Sequence, residues 1–379
     1  AAQPSTTAPP LDTSTTPVVV PFVTTTVPPT TVAPTTVPPR SVPPTSAPPA
    51  TSDPTTAGQL DGGAIADFPP LVAPELSATN AAFDRLAASA EAASITVVRD
   101  GQRIVGRAIG RTIGGEPITS DTRMVVASVS KMMTSLAVSR LAQSGPLDLD
   151  RPMPWAFMGL QPHPGWNDVT PRDLLGHAAG MPVVRTSWFS GAGDCAQYAP
   201  SLLGGAPRGH RGTWTYSNGN YCVLGLLVEF LTGQPLDVAL ADLVFEPNGL
   251  SPARLTTNGQ RPDEVGHRRG VERLSRLGGA GTLLMSTDSV AGALAWLTPS
   301  DYESLRLPSG FIDQYGFGHT GTVGGAVACA WVLEAGRTVV AVTISGERPA
   351  TGGAICDAIE PALGSDLGFY AGTPSRSSI

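Results

Sequence analysis

Charge is scarce in this 379-residue chain: Asp, Glu, Lys and Arg together make 15% of it, and lysine occurs once, at Lys131. With 24 basic residues against 31 acidic ones, the net charge of −7 excludes a polybasic surface for nucleic acid or anionic lipid as the main business of the protein. No apolar run approaches the ~20 residues a spanning helix needs, so no membrane span is expected. Aromatics are few at 6%. Cysteine is limited to positions 195, 222, 329 and 356, with no Cys-x-x-Cys pair and no histidine cluster nearby, which argues against a structural zinc site.

Proline and glycine are plentiful instead, at 37 and 43 residues, and 17 of the prolines fall in the first 70 positions. Approximate repeats such as Thr24-Thr25-Thr26-Val27-Pro28-Pro29 and Thr35-Thr36-Val37-Pro38-Pro39 predict a disordered, semi-rigid polyproline-like spacer over 1–70. A Thr/Pro-rich spacer of this kind suits passage through a cell wall or attachment of O-linked sugars. A folded domain is expected over 75–365, followed by a flexible tail over 366–379. The start Ala1-Ala2-Gln3 is one that removal of a secretory signal would leave, though other trimming leaves the same. Four cysteines allow three pairings, and four buried free thiols are a further alternative. The pairing Cys195–Cys222 with Cys329–Cys356 is preferred, since each closes a loop of similar size. Spacer and even cysteine count point to a secreted or wall-associated, extracytoplasmic protein.

The folded part mixes both hydrophobic periods. Helices are expected over Ala82–Ala93, Ser130–Gln143, Cys222–Leu231, Thr287–Leu297 and Ala354–Leu363. Hairpins are expected where Asp100-Gly101 joins Ile95–Arg99 to Arg103–Ile109, and where Glu334-Ala335-Gly336 joins Gly325–Leu333 to Arg337–Ile344. Strands at both ends with helices between them predict an α+β fold, an antiparallel sheet closed by early and late strands with a mostly helical part inserted.

Lys131 lies in Ser128-Val129-Ser130-Lys131, at the start of the Ser130–Gln143 helix. Residues three apart share a helical face, so the Ser128 hydroxyl and the lysine amine can meet. A serine hydroxyl becomes a useful nucleophile only when a neighbouring base takes its proton. Burial lowers a lysine pKa, which lets the amine act as that base or tune another. The helix start also aims backbone N–H groups at a developing oxyanion.

Two further segments complete a pattern: Tyr216-Ser217-Asn218, and His319-Thr320-Gly321 ahead of the last hairpin. In this order the three resemble the serine beta-lactamase and penicillin-binding protein family. Thr170-Pro171-Arg172-Asp173-Leu174-Leu175 with His177 and Gly180-Met181-Pro182, Phe245–Leu250, and Gly279-Ala280-Gly281 through Ser286-Thr287 resemble segments of its class C-like branch. The third element, continuing as Thr322-Val323, is similar to that of secreted actinomycete D-alanyl-D-alanine carboxypeptidases. The resemblance covers about 80–360. It implies a beta-lactamase/transpeptidase-like fold, attack by Ser128, and a proton shared between Lys131 and Tyr216 as a coupled pair. It further implies substrate binding by Asn218, His319, Thr320, Gly321 and Thr322, with the backbone N–H groups of Ser128 and Thr322 as oxyanion hole, and it requires no metal or cofactor. His177 is expected to be structural.

The implied substrate is a peptidoglycan stem peptide. A beta-lactam, a small ester, or a slow wall-associated binding role remain alternatives, and no oligomeric state is implied. Only about 100 residues separate Asn218 from His319, short for the branch, and the nearest arginine that could hold a substrate carboxylate, Arg306, is out of register. Carboxylate recognition therefore falls to Thr320, Thr322 and His319, or is weaker. An unperturbed histidine titrates near ~6.5, so the charge of His319 is expected to depend on pH in the working range; if it binds an anionic substrate as imidazolium, affinity should weaken as pH rises through its pKa.

Overall fold

The computed structural model describes residues 76–183, 193–267, 272–305, 312–313, 316–346 and 351–369. The proline-rich segment, Arg306 and most of the tail lie outside these. The described residues fall in one unit of the chain, Leu60–Ile379.

The chain opens with α1 (Ser77–Ala87), β1 (Ala92–Arg99) and β2 (Gln102–Gly110), and closes with β6 (Ile312–Asp313), β7 (Gly316–Val323), β8 (Ala326–Leu333), β9 (Thr338–Ser345) and α9 (Gly352–Leu367). The strands form one antiparallel sheet in the order β2-β1-β9-β8-β7-β6. Strand β1 pairs with the far-distant β9 from Ala92↔Ser345 to Arg99↔Thr338, which closes the fold from both chain ends. Both faces of the sheet are covered, so β8 reads as the continuous apolar run AVACAWVL rather than an alternation. Its Val327, Cys329 and Trp331 pack with α1 and α9 residues, whereas Ala328, Ala330 and Val332 join the helical core on the other face.

That helical part is built from α2 (Ser130–Gln143), α3 (Pro171–Leu175), α4 (Cys195–Leu203), α5 (Asn218–Thr232), α6 (Leu236–Leu240), α7 (Thr287–Ala295) and α8 (Pro299–Leu305). A small sheet of β3 (Met124–Val125), β5 (Leu283–Met285) and β4 (Arg254–Leu255) lies within it. Disulfides join Cys195 to Cys222, tying α4 to α5, and Cys329 to Cys356, tying β8 to α9. Among the described residues no single helix is long and apolar enough to cross a membrane.

Two expected helices begin elsewhere. The first runs over Ser77–Ala87, not Ala82–Ala93, and Ala92 and Ala93 are the buried start of β1. The Asp366 carboxylate, from α9, accepts the N–H groups of Ala78 (3.1 Å) and Thr79 (2.7 Å), so a partner 287 residues away caps this helix. The third, α5, starts at Asn218 rather than Cys222, because the Ser217 hydroxyl accepts the Gly219 N–H at 3.1 Å as its N-cap.

Candidate active site

Three backbone pieces converge on Ser128. The first is a 3-10 turn, Ala127–Val129, that feeds straight into α2. Ala127 holds φ +50°, a left-handed conformation rare outside glycine, and it swings the turn beneath β7. The second is the start of α5, and the third is β7 itself. Beyond Phe317, β7 has no strand partner on its β6 side among the described residues, and its Gly321 meets the turn.

Gly321 makes the approach possible. A Cβ there would lie 2.5 Å from the Val126 carbonyl oxygen and 3.1 Å from the Ser128 nitrogen. Strand and turn are thus in backbone contact at the serine, which no larger residue allows.

Lys131 is fully buried, and its Nζ donates to Ser128 Oγ (3.0 Å), Asn218 Oδ1 (2.7 Å) and the Ala280 carbonyl (2.8 Å). Three acceptors around three N–H bonds fit the ammonium. Burial pushes the Lys131 pKa below its ordinary value, and the Tyr216 oxygen opposes that shift. The Tyr216 hydroxyl lies 3.1 Å from Ser128 Oγ, and the Tyr216 ring centroid 5.1 Å from Nζ. Lys131 and Tyr216 therefore meet at one hydroxyl, with Asn218 bonded to the lysine amine.

The third element divides. Along β7, residues alternate between faces. Thr320 stands opposite Cys329, whose sulfur bonds Cys356 of α9, so Thr320 and Thr322 lie on the α9 side. Thr322 Oγ1 accepts the Gly352 N–H at 3.1 Å. His319 and Gly321 lie on the Ser128 side, and the His319 ring centroid is 6.1 Å from that of Tyr216. Of His319 and Thr320, both expected to bind substrate, only His319 lies on the Ser128 side. Nor does the site support a charge on His319 that changes near neutral pH. Burial, then the Lys131 ammonium, hold its pKa down to about 3, and its Nδ1 lies against the Thr320 carbonyl. At neutral pH the ring is uncharged.

Sequence reasoning passed over the Ala280 carbonyl. It is held in place because the Gly278–Ala280 segment wedges between α2 and α5: a Cβ on Gly279 would lie 2.7 Å from Thr134 Oγ1 and 2.8 Å from the Tyr221 carbonyl. The signal was there in Gly279-Ala280-Gly281, where close backbone packing selects small residues. Asp194 caps the α4 start, and the Glu229 carboxylate accepts the Leu236 N–H.

Known proteins resemble this chain in sequence and in fold. The chain is 26% identical to penicillin-binding protein 4* of Bacillus subtilis over 161 residues, 40% of this chain and 34% of that one. It is 29% identical to a D-aminopeptidase of Brucella anthropi over 259 residues (59% and 48%), and 31% identical to esterase EstB of Burkholderia gladioli over 259 residues (58% and 61%). It thus spans between about a third and three-fifths of the length of these relatives. In structure it is similar to the D-amino acid amidase of Ochrobactrum anthropi SV3, with TM-score 0.63 at 18% identity, covering 76% of this chain and 99% of the amidase, a likeness of fold. The Beta-lactamase family matches residues 79–360, a span that holds the turn, the start of α5 and β7 alike, and the chain belongs to that family.

Proposed function

We propose that this protein is a serine hydrolase working through an acyl-enzyme on Ser128, and that it acts as a carboxypeptidase on peptidoglycan stem peptides ending in D-alanyl-D-alanine. The observation that carries the mechanism is the convergence of Lys131 Nζ and the Tyr216 oxygen on Ser128 Oγ, at 3.0 and 3.1 Å. Ser128 Oγ attacks the carbonyl carbon of the scissile amide. Because three acceptors keep Lys131 protonated, Tyr216 takes the serine proton, and the adjacent ammonium stabilises the phenolate this requires. The oxyanion forms beside the backbone N–H groups of Ser128 and Thr322, where strand and turn touch. Tyr216 returns the proton to the departing amine, and water then releases the acyl group by the reverse route. Asn218 orients both Lys131 and the substrate amide. None of these steps calls for a metal or cofactor. Two formed disulfides favour an oxidising, extracytoplasmic compartment, where such peptides occur.

A second reading, an esterase or amidase acting on uncharged acyl substrates, is favoured by the neutral His319 and by the placement of Thr320 and Thr322 on the α9 side. A neutral imidazole offers no Coulombic attraction to a terminal carboxylate. Similarity to an esterase and a D-aminopeptidase fits this reading as well. Release of D-alanine from a diacylated D-Ala-D-Ala peptide, measured beside hydrolysis of nitrocefin and of a short-chain nitrophenyl ester, decides between them. Turnover of the ester with no D-alanine release rejects the carboxypeptidase.

A further inference from the structure

Tyr216 sits in an irregular stretch, 214–217, that belongs to no helix or strand. A side chain that must hold its oxygen near Ser128 Oγ therefore rides on backbone that no ladder fixes. The peptide N–H groups on either side of it nevertheless have partners, and both partners are His177. The Thr215 N–H donates to the His177 carbonyl at 2.8 Å, and the Ser217 N–H donates to His177 Nδ1 at 3.3 Å. The imidazole also lies against the phenol, with ring centroids 4.6 Å apart and planes at 41°.

His177 is built for this task. A backbone N–H can only donate, so Nδ1 must be the unprotonated nitrogen, and Asn220 Nδ2, 2.9 Å away, donates to it as well. The ring is buried, at 4% exposure, with φ +54° at its Cα, a conformation a β-carbon resists. Its Nε2 has no hydrogen-bond partner among the described residues. A strained backbone and an unsatisfied nitrogen are retained together where the carbonyl and Nδ1 can bracket one residue.

We propose that His177 is a positioning residue for Tyr216, its carbonyl and Nδ1 clamping the two peptide groups that flank the tyrosine and so fixing the phenol against Ser128. The inference rests on the reading of Tyr216 as the group that takes the serine proton, and it adds to that reading the device that aims it.

The test compares His177→Gly, which accepts a positive φ but lacks the acceptor, with His177→Asn, which tolerates the same backbone and can place its amide oxygen near Nδ1. Acylation by a short-chain nitrophenyl ester is followed in a single turnover. His177→Gly should slow acylation by ~10- to 100-fold with little change in half-saturating concentration, as expected for a group misplaced by a fraction of an ångström to 1 Å. His177→Asn should recover most of that loss. In a Tyr216→Phe background, His177→Gly should cost nothing further. If the glycine variant does not fold, His177→Gln, whose amide reaches the Nε2 position instead, carries the same comparison. The proposal is overturned if the acceptor-less variant acylates at the wild-type rate, if asparagine rescues nothing, or if the two losses add. Undiminished acylation by Tyr216→Phe alone would reject the underlying role of the tyrosine, a result separate from these.

Discussion

Gly321→Ala tests whether backbone contact between β7 and the nucleophile turn sets the geometry of the site. The added methyl carbon would stand 2.5 Å from the Val126 carbonyl oxygen, 3.1 Å from Ala127 Cβ and 3.1 Å from the Ser128 nitrogen. Ordinary contact needs more than 3 Å, so about 0.7 Å of relief is required at the carbonyl. The Val126 oxygen and the Ser128 nitrogen are backbone, which cannot rotate aside. Retreat of the strand is blocked as well, because Gly352 at the head of α9 already sits so close that a Cβ there would meet the Gly321 oxygen at 2.7 Å and nitrogen at 2.9 Å. The turn must therefore give way, carrying Ser128 with it. A displacement approaching 1 Å at reacting atoms costs up to ~100-fold in rate, so a 10- to 100-fold slower acylation is expected. Overpacking of a tight contact should lower stability by ~1–3 kcal/mol. Stopped-flow acylation with a nitrophenyl ester and thermal unfolding read the two effects. Gly205→Ala is the control, since a Cβ at Gly205 meets nothing within 4 Å. Wild-type acylation by Gly321→Ala would show that the contact does not set the site's geometry.

Three more outcomes follow from the same contacts. Ser128→Ala should abolish acyl-enzyme formation, detected as the intact mass after penicillin treatment. Ser130→Ala should keep it yet lose ~1–3 kcal/mol of stability, because the buried Ser130 Oγ accepts the Leu283 N–H at 3.2 Å; the reverse pattern would reassign the nucleophile. Lys131 should resist amine-directed acylation in the native protein and react after unfolding, and rapid native labelling without loss of activity would refute its buried role. Finally, burial and the Lys131 ammonium lower the His177 pKa to about 2, so as pH falls below 6.5 the unfolded state takes up the proton first and stability declines. About 2 kcal/mol should be lost from this group between pH 7 and pH 5, and the decline in Tm should be shallower in His177→Asn; equal slopes would refute the shift.

What the sequence disclosed and what it hid follow from the range of the interactions. The turns at Asp100-Gly101 and Glu334-Ala335-Gly336 and the length of the Ser130 helix are local, and the structure places them within a residue or two of expectation. The preferred cysteine pairing is the one formed. The first helix slid by about a turn and a half because alanine suits both a helix and a doubly covered strand; the arbiter is Asp366, at the other end of the chain. Ser128, Lys131 and Tyr216 were legible as motif residues, and the structure brings their polar atoms together. Ala280 was not, since a carbonyl carries no side-chain signature.

The charge of His319 was misjudged for a related reason. From sequence it could be placed in a motif but not given a dielectric or a neighbour. The cleft's ammonium, Lys131, is itself the largest charged influence on the ring, and it acts against protonation. Two cations side by side would each raise the cost of the other, whereas a neutral imidazole spares Lys131 that repulsion. Replacing the ring with a permanent cation, as in His319→Lys, would therefore alter more than substrate affinity. It should depress the Lys131 pKa further and compete with it for the Tyr216 oxygen. If the proton economy of the site depends on a single ammonium, His319→Lys should slow acylation by a neutral nitrophenyl ester and shift its pH profile, even though that substrate carries no carboxylate for the new charge to attract. A variant that acylates the neutral ester with an unchanged profile would show that the two positions titrate independently, and that the neutrality of His319 matters to substrate choice alone.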